Sequence, residues 1–493
     1  MTSNTKPQSK NLRHLLSDEA KSRQNSPLKC AFRFFGQPGM TFLGGGLPLS
    51  NYFPFDKITA DIPTPSFENG IGAQITEENK SVIEIFKRKE LNDPKDHHVE
   101  LARSLQYGYT EGAPELINYL KEHTDLIHKV PYEDWDLIAT VGNTESWDST
   151  LRTFCTRGDC ILVEEYSFSS ALETAHAQGV NTIPVSMDEH GLIPQALEEV
   201  MANWIGNQPK LLYTIPTGQN PTGSSLSFER RKEIYKIACK YDFIIVEDEP
   251  YYFLQMESYT KDKAAREGKA VHNHEEFVDA LVPSFISLDV EGRVLRLDSF
   301  SKVLAPGVRF GWIVGQATLL ERFVRLHEVT IQGPSGFTQS LLNGLLYKWG
   351  QSGYLDWLIG LRAEYTKKRD VAIDTVAEFF PKDIVTYTPP VAGMFFTIDI
   401  DASKHPKFEE FGQDPNKVET AIYEQAIKQG SLMIPGSWFK VDGQSSPPQK
   451  VLPVNSSKKN IIFFRGTYAA VPLDQLIIGL QKFAKAVKIE YEL

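Results

Sequence analysis

The sequence predicts an α/β fold with a mainly parallel sheet, and two observations carry the prediction. Short apolar runs recur at 137–141, 161–164, 180–185, 210–215, 243–247, 294–298 and 310–314. Each has strand length and reads as a buried strand. Amphipathic stretches such as 227–241 lie between several of them, and that alternation is the pattern of a sheet flanked by helices. Ligands in such sheets sit at the carboxyl ends of the strands, so the loops leaving these runs are where chemistry should lie.

At 493 residues the chain exceeds one ordinary core and reads as two or three domains. We place a disordered arm at 1–25, and an ordered arm with the first part of a smaller domain and an insertion at 26–100. A large domain follows at 101–355 and a smaller α/β domain at 356–493. A formal net charge of −11 gives no extended electrostatic grip on nucleic acid or on an anionic membrane surface. Any anionic substrate must then be met by local positive groups. Cys30, Cys155, Cys160 and Cys239 lack a paired zinc spacing and are too few for a disulfide framework, so no metal and a reducing compartment are expected. No apolar run approaches membrane-spanning length, and the N-terminus lacks an apolar signal core. Lys6, Lys10 and Arg13 precede the first acid and faintly resemble a mitochondrial presequence, but Asp18 and Glu19 interrupt it. The expectation is cytoplasmic, with mitochondrial as the alternative.

Along the chain, Gly44, Gly45 and Gly46 follow a short apolar run and allow close backbone approach to a ligand, or a plain tight turn. Residues 61–100 read as a polar, irregular insertion, and Pro114 opens a helix after Tyr107. The charged stretch 257–283, with His272 and His274, reads as a solvated loop. A long helix is expected near 355–380, strands near 394–400 and 461–464, and a surface loop at 441–459.

Candidate chemistry collects on the strand ends. The loop after 294–298 holds Ser299, Ser301 and Lys302, with Arg309 seven residues on. Hydroxyls and a guanidinium hold phosphate oxygens, and a lysine amine bonds a carbonyl. Pyridoxal phosphate carries both groups, although Ser-x-Ser-Lys alone is common in ordinary loops. Asn143 and Thr144 open a helix, where free amides make a phosphate cup or simply cap the helix. The rigid turn at 215–223 projects Asn220. Asp248 ends another strand with Tyr251 three residues on; a carboxylate there suits a pyridinium N–H or caps a helix. Phe168 follows the 161–164 strand and suits stacking on a flat ring, or core packing. Arg465 directly follows an apolar run and is shaped for bidentate carboxylate recognition, or for a surface ion pair.

Taken together, Asn-Pro-Thr-Gly at 220–223, Asp-x-Pro-Tyr at 248–251, Ser-x-Ser-Lys with Arg309, and the late Arg465 resemble the class I/II aminotransferases of fold type I. The resemblance runs from about residue 26 to the end and is closest to fungal aromatic and 2-aminoadipate aminotransferases. It implies a large pyridoxal-phosphate-binding domain with a mainly parallel seven-stranded sheet, plus the smaller α/β domain. By resemblance, Lys302 bonds the cofactor aldehyde and shuttles the substrate proton, and Asp248 pairs with the ring nitrogen. Asn220 and Tyr251 bond the 3′ oxygen, and Phe168 stacks on the ring. Asn143, Thr144, Ser299, Ser301 and Arg309 hold the phosphate, with Tyr107 reaching the neighbouring subunit of a homodimer with shared sites. Arg465 binds the substrate α-carboxylate beside Asn220, Gly45 and Gly46. Lys29 matches a position where related 2-aminoadipate enzymes carry a movable arginine for the distal carboxylate.

The implied activity is ping-pong transfer from phenylalanine, tyrosine or tryptophan, and from 2-aminoadipate or kynurenine, to 2-oxoglutarate. A lyase or decarboxylase with the same cofactor would use the same catalytic set. A cofactor-binding regulator would need a DNA-binding module, and only about 25 unpatterned residues precede residue 26.

Overall fold

The structure is a computed structural model that describes residues 6–27, 34, 37–41, 43–88, 99–267, 273–441 and 460–493. Its strands are β1 (Lys57–Pro63), β2 (Lys80–Phe86), β3 (Trp135–Thr140), β4 (Cys160–Glu164), β5 (Asn181–Val185), β6 (Leu211–Thr214), β7 (Ile244–Asp248), β8 (Val294–Ser299) and β9 (Gly311–Gln316). Beyond these lie β10 (Val385–Thr386), β11 (Phe395–Asp401), β12 (Ile434–Pro435) and β13 (Ile461–Thr467). Helices α1 (Asp18–Ser22), α2 (Asn143–Phe154), α3 (Phe228–Tyr241), α4 (Ala317–His327), α5 (Gly336–Phe379), α6 (Pro415–Gln429) and α7 (Leu473–Glu490) flank or join them. Strands β3 to β9 make up the mixed, mostly parallel seven-stranded sheet expected from the alternating runs. The chain divides into two compact units, Met1–Thr156 with Ile286–Trp357, and Arg157–Phe285 with Leu358–Leu493.

In the first unit the sheet strands run in the order β3-β9-β8, antiparallel throughout. The register sets Gly311 opposite both Ser299 and Thr140, so three strand ends lie level. Phe154 of α2 and Phe323 of α4 pack their rings 6.2 Å apart. Residues 61–100 are not irregular throughout. β1 and β2 pair antiparallel from Lys57↔Phe86 to Pro63↔Lys80, and Ile83 and Ile85 bury one face while Glu84 points out. The period-2 signal was short and hidden by polar flanks.

The amino-terminal stretch is also ordered where it is described. Leu12, Leu15 and Leu16 are buried. Ser17 caps α1 by accepting from Ala20 N at 3.0 Å and donates to Arg152 O at 2.7 Å. Ser9 bonds both carboxylate oxygens of Asp134. The many polar residues around them keep the mean hydropathy low, yet the three leucines supply enough apolar surface to anchor the segment.

In the second unit, β7-β6-β4-β5 are parallel. β4, β6 and β7 are buried at all or most positions, matching the apolar runs. A second sheet, β10-β11-β13-β12, carries α6 and α7 over a core that includes Ile398, Ile400, Ile422, Phe464, Phe483 and Val487. The stretch 257–283 is more than a solvated loop. It contains the short helices Ala264–Glu267 and His274–Asp279, with Phe277 fully buried and Arg266 paired to Asp374 at 2.8 Å. The helix expected near 355–380 is part of α5, interrupted at Gly350, whose φ of 66° and ψ of 178° are not helical.

Candidate active site

In the first unit, the chemistry-bearing residues gather where β3, β8 and α2 meet. β3 ends at Thr140, and Gly142 turns the chain into α2 with φ 106°. A Cβ at Gly142 would lie 2.6 Å from Arg309 Nη2, so the glycine gives the arginine room. Asn143 and Thr144 are the first two residues of α2, at the end of a helix where backbone amides point outward. Asn143 Nδ2 donates to Leu297 O at 3.0 Å and ties the helix start to β8. Ser299 closes β8, and its hydroxyl donates to Ser301 Oγ at 2.9 Å. Arg309 adopts a left-handed φ of 46° and donates to Pro306 O and Val141 O, at 3.1 and 2.9 Å. Two hydroxyls, an arginine without a carboxylate partner among the described residues and a helix amino end make an anion cradle.

Lys302 stands in the same loop. Among the described residues its Nζ has no hydrogen-bond or ion-pair partner. Half-burial first, and the Arg309 charge second, hold its pKa below the ordinary lysine range. A lysine poised this way presents more of the neutral, nucleophilic amine. A phosphate-binding set beside a free amine fits the phosphate and aldehyde of pyridoxal phosphate.

The second unit gathers the other predicted residues on the carboxyl ends of parallel strands. The registers Val163↔Tyr213 and Thr214↔Glu247 bring the ends of β4, β6 and β7 level. Asp248 ends β7, is buried, and accepts from Tyr213 Oη at 2.7 Å. Burial, then the Asp248 charge, push the Tyr213 hydroxyl well above its ordinary pKa, so it stays a donor. Tyr251 follows in the turn after β7, also raised by burial and then by Asp248.

The turn after β6 carries Asn220. Gly218, at φ 60°, approaches Gly393 so closely that a Cβ would meet the Gly393 Cα at 2.5 Å. Asn220 Oδ1 accepts from Arg465 Nη1 at 2.7 Å. The Arg465 guanidinium lies over the rings of Phe395 and Phe439, 4.4 and 4.7 Å from their centroids. No carboxylate among the described residues pairs with it, and burial lowers its pKa. Arg465 does not follow its strand, as the sequence suggested; it sits within β13, opposite Thr397. The strand continues through Gly466 and Thr467 because a glycine does not end an antiparallel pairing.

The remaining predicted residues are more dispersed. Phe168 is half-buried just before the helix Ser169–Ala177. Tyr107 is exposed, Gly45 lies in a bend, and Gly46 follows it with open space where a Cβ would stand. Lys29 lies outside the described residues, as does His272. Sequence reasoning missed Tyr213, Glu164, Gln219, Phe395 and Phe439. Tyr213 had a usable signal: it is the polar-tipped residue within an otherwise apolar strand.

An α/β fold of this topology, with a free lysine beside an anion cradle and a strand-end aspartate, defines a pyridoxal-phosphate enzyme of fold type I. Residues 72–450 match the family model for aminotransferase class I and II. The chain belongs to this family: it is an aminotransferase with pyridoxal phosphate as cofactor, acting on amino acids and oxo acids. An aromatic amino acid aminotransferase of Schizosaccharomyces pombe is 40% identical over 492 residues, 98% of this chain and 99% of the relative. An L-tyrosine:2-oxoglutarate aminotransferase of Serpula lacrymans is 34% identical over 455 residues, 89% and 85% of the two chains. The crystal structure of aminotransferase Aro8 from Candida albicans is 71% identical with a TM-score of 0.95, covering 99% of this chain and all of that one.

Proposed function

We propose that the chain transfers the amino group of phenylalanine, tyrosine or tryptophan to 2-oxoglutarate by a ping-pong route, with 2-aminoadipate and kynurenine as further donors. The observation that carries this reading is Arg465: a half-buried guanidinium lying over two phenyl rings, with an amide partner and, among the described residues, no carboxylate. Its planar fork suits an α-carboxylate, and the rings beside it suit an aromatic side chain. The aromatic and tyrosine activities named for the two relatives point the same way.

Pyridoxal phosphate supplies an aldehyde for the amino group and an electron-accepting ring. Asn143, Thr144, Ser299, Ser301 and Arg309 would hold its phosphate, and Phe168 would face its ring. Asp248 would keep the ring nitrogen protonated, and Asn220 and Tyr251 would bond the ring oxygen. Lys302 would supply the amine that holds the aldehyde and the base that carries the substrate Cα proton. Arg465 would bind the α-carboxylate, Gly45 and Gly46 would allow close approach of the substrate, and Lys29 would meet the distal carboxylate of an acidic substrate. The assembly is a homodimer to which the exposed Tyr107 contributes across subunits. Its setting is the cytoplasm, which suits the free thiols Cys155, Cys160 and Cys239.

The test is a half-reaction. Purified holoenzyme is mixed in turn with single amino acids and the cofactor absorbance is followed. Conversion to the aminated cofactor by aromatic donors supports the reading. Conversion only by small aliphatic donors, or release of carbon dioxide without amino transfer, would overturn it.

A further inference from the structure

The turn that carries Asn220 is held by a residue with every side-chain hydrogen-bonding position occupied. Gln219 Nε2 donates to Glu164 Oε2 at 3.0 Å and to Tyr166 O at 2.6 Å. Its Oε1 accepts from both Thr222 N and Thr222 Oγ1, each at 2.8 Å. Both Gln219 and Glu164 are 1% exposed, so water cannot replace these bonds. Glu164 is fixed in turn: its Oε1 accepts from Thr214 Oγ1 at 2.8 Å and its Oε2 from Ile215 N at 3.2 Å. Two donors and two acceptors of one amide thus tie the tip of the turn to the end of β4. The neighbouring Asn220 then has little freedom, and its Oδ1 fixes one arm of the Arg465 fork.

We infer that Gln219 and Glu164 form a positioning pair, which sets Asn220 and through it the orientation in which Arg465 meets the substrate carboxylate. The inference rests on the reading of Arg465 as the carboxylate-binding residue. Neither residue touches substrate. Their hydrogen bonds act on where an acceptor and a guanidinium stand, and a small displacement of such groups is felt as lost binding.

The pair also makes a chemical distinction. An amide at 164 can turn its oxygen toward Ile215 N and Gln219 Nε2, and its NH2 toward Thr214 Oγ1, whose hydroxyl can accept. Glu164→Gln therefore keeps every bond, whereas Glu164→Leu loses all three and strands buried donors.

The experiment uses the holoenzyme of Gln219→Met, Glu164→Leu, Glu164→Gln, Thr222→Val and Arg465→Lys. Each is first checked for cofactor content and thermal unfolding. Gln219→Met and Glu164→Leu should raise KM about tenfold for amino donor and oxo acid alike, with kcat falling less than about threefold. They should also move the pH at which the bound cofactor changes absorbance, because Asn220 is displaced. Glu164→Gln should restore both readouts to near wild type. If a harsher variant does not fold, Thr222→Val removes one bond of the hub and should raise KM about threefold. A folded Gln219→Met or Thr222→Val with unchanged KM and unchanged absorbance profile overturns the pair. Unchanged KM in Arg465→Lys overturns the carboxylate reading instead; raised KM there with no effect at 219, 164 and 222 overturns only the positioning.

Discussion

Two loops on strand ends, one in each unit, treat their polar groups in opposite ways. In the turn after β6, Gln219 has all its side-chain valences used, and Thr217 bonds Glu249 and Arg231 at 2.9 and 2.8 Å. In the loop after β8, among the described residues, the Lys302 amine has no partner and Arg309 bonds only carbonyls. The first loop spends its polar groups on fixing position. The second leaves an amine unpaired and half-buried, a state that favours reaction over structure. The difference separates two requirements of catalysis: an oriented substrate needs saturated surroundings, and a nucleophile needs a group that nothing else claims.

The contrast is most sharply tested at its reactive end. Lys302→Ala should cut kcat by about a thousandfold or more while the enzyme still retains cofactor through the phosphate cradle. Borohydride reduction of the wild type followed by peptide mapping should label Lys302, and label on another lysine would break the assignment. Next in size, Asp248→Ala should lower kcat on the order of a hundredfold for every donor, because a ring without its carboxylate partner accepts electrons poorly. Near-normal turnover would remove Asp248 from the chemistry.

Arg465→Lys should cost about ten- to a hundredfold in kcat/KM for all α-carboxylate substrates, since a point charge replaces the planar fork. A loss confined to acidic substrates would instead mark it as a side-chain reader. The mildest effect concerns pH. Burial raises the Glu164 pKa from 4.5 to about 7, against the pull of its three hydrogen-bond donors and with a further push from Asp248. The folded state therefore keeps a proton that the unfolded chain releases, so stability should fall as pH rises from about 4.5 to about 7. Glu164→Gln should flatten that slope in thermal unfolding across this window, and an unchanged slope would place its origin elsewhere.

Most of the seven-stranded sheet was legible because its buried strands carry short apolar runs, as in Leu211 and Leu212 or Ile244, Ile245 and Val246. Asp248, Asn220 and Lys302 were legible as candidates for a related reason: each is a polar residue at the end of such a run or in the loop leaving it, and Arg309 was legible from its spacing of seven residues from Lys302. Gln219 was not. In sequence it is one more polar residue in a turn, and its importance comes from Glu164 and Tyr166, more than fifty residues earlier. Phe395 and Phe439 were equally silent, because an aromatic ring reads as core until a guanidinium is found over it. The buried leucines at 12, 15 and 16 escaped because three apolar residues do not make a period.

That amino-terminal segment sets a timetable for synthesis. Lys10 N donates to Glu291 O at 2.8 Å, Lys10 O accepts from Gln316 Nε2 at 3.3 Å, and Arg23 O accepts from Arg322 at 3.1 Å. This segment thus waits during synthesis for partners about 300 residues behind it, some 15–60 s at about 5–20 residues per second. Through that interval Leu12, Leu15 and Leu16 have no completed surface to cover them, and the newborn chain presents them to whatever binds apolar segments first.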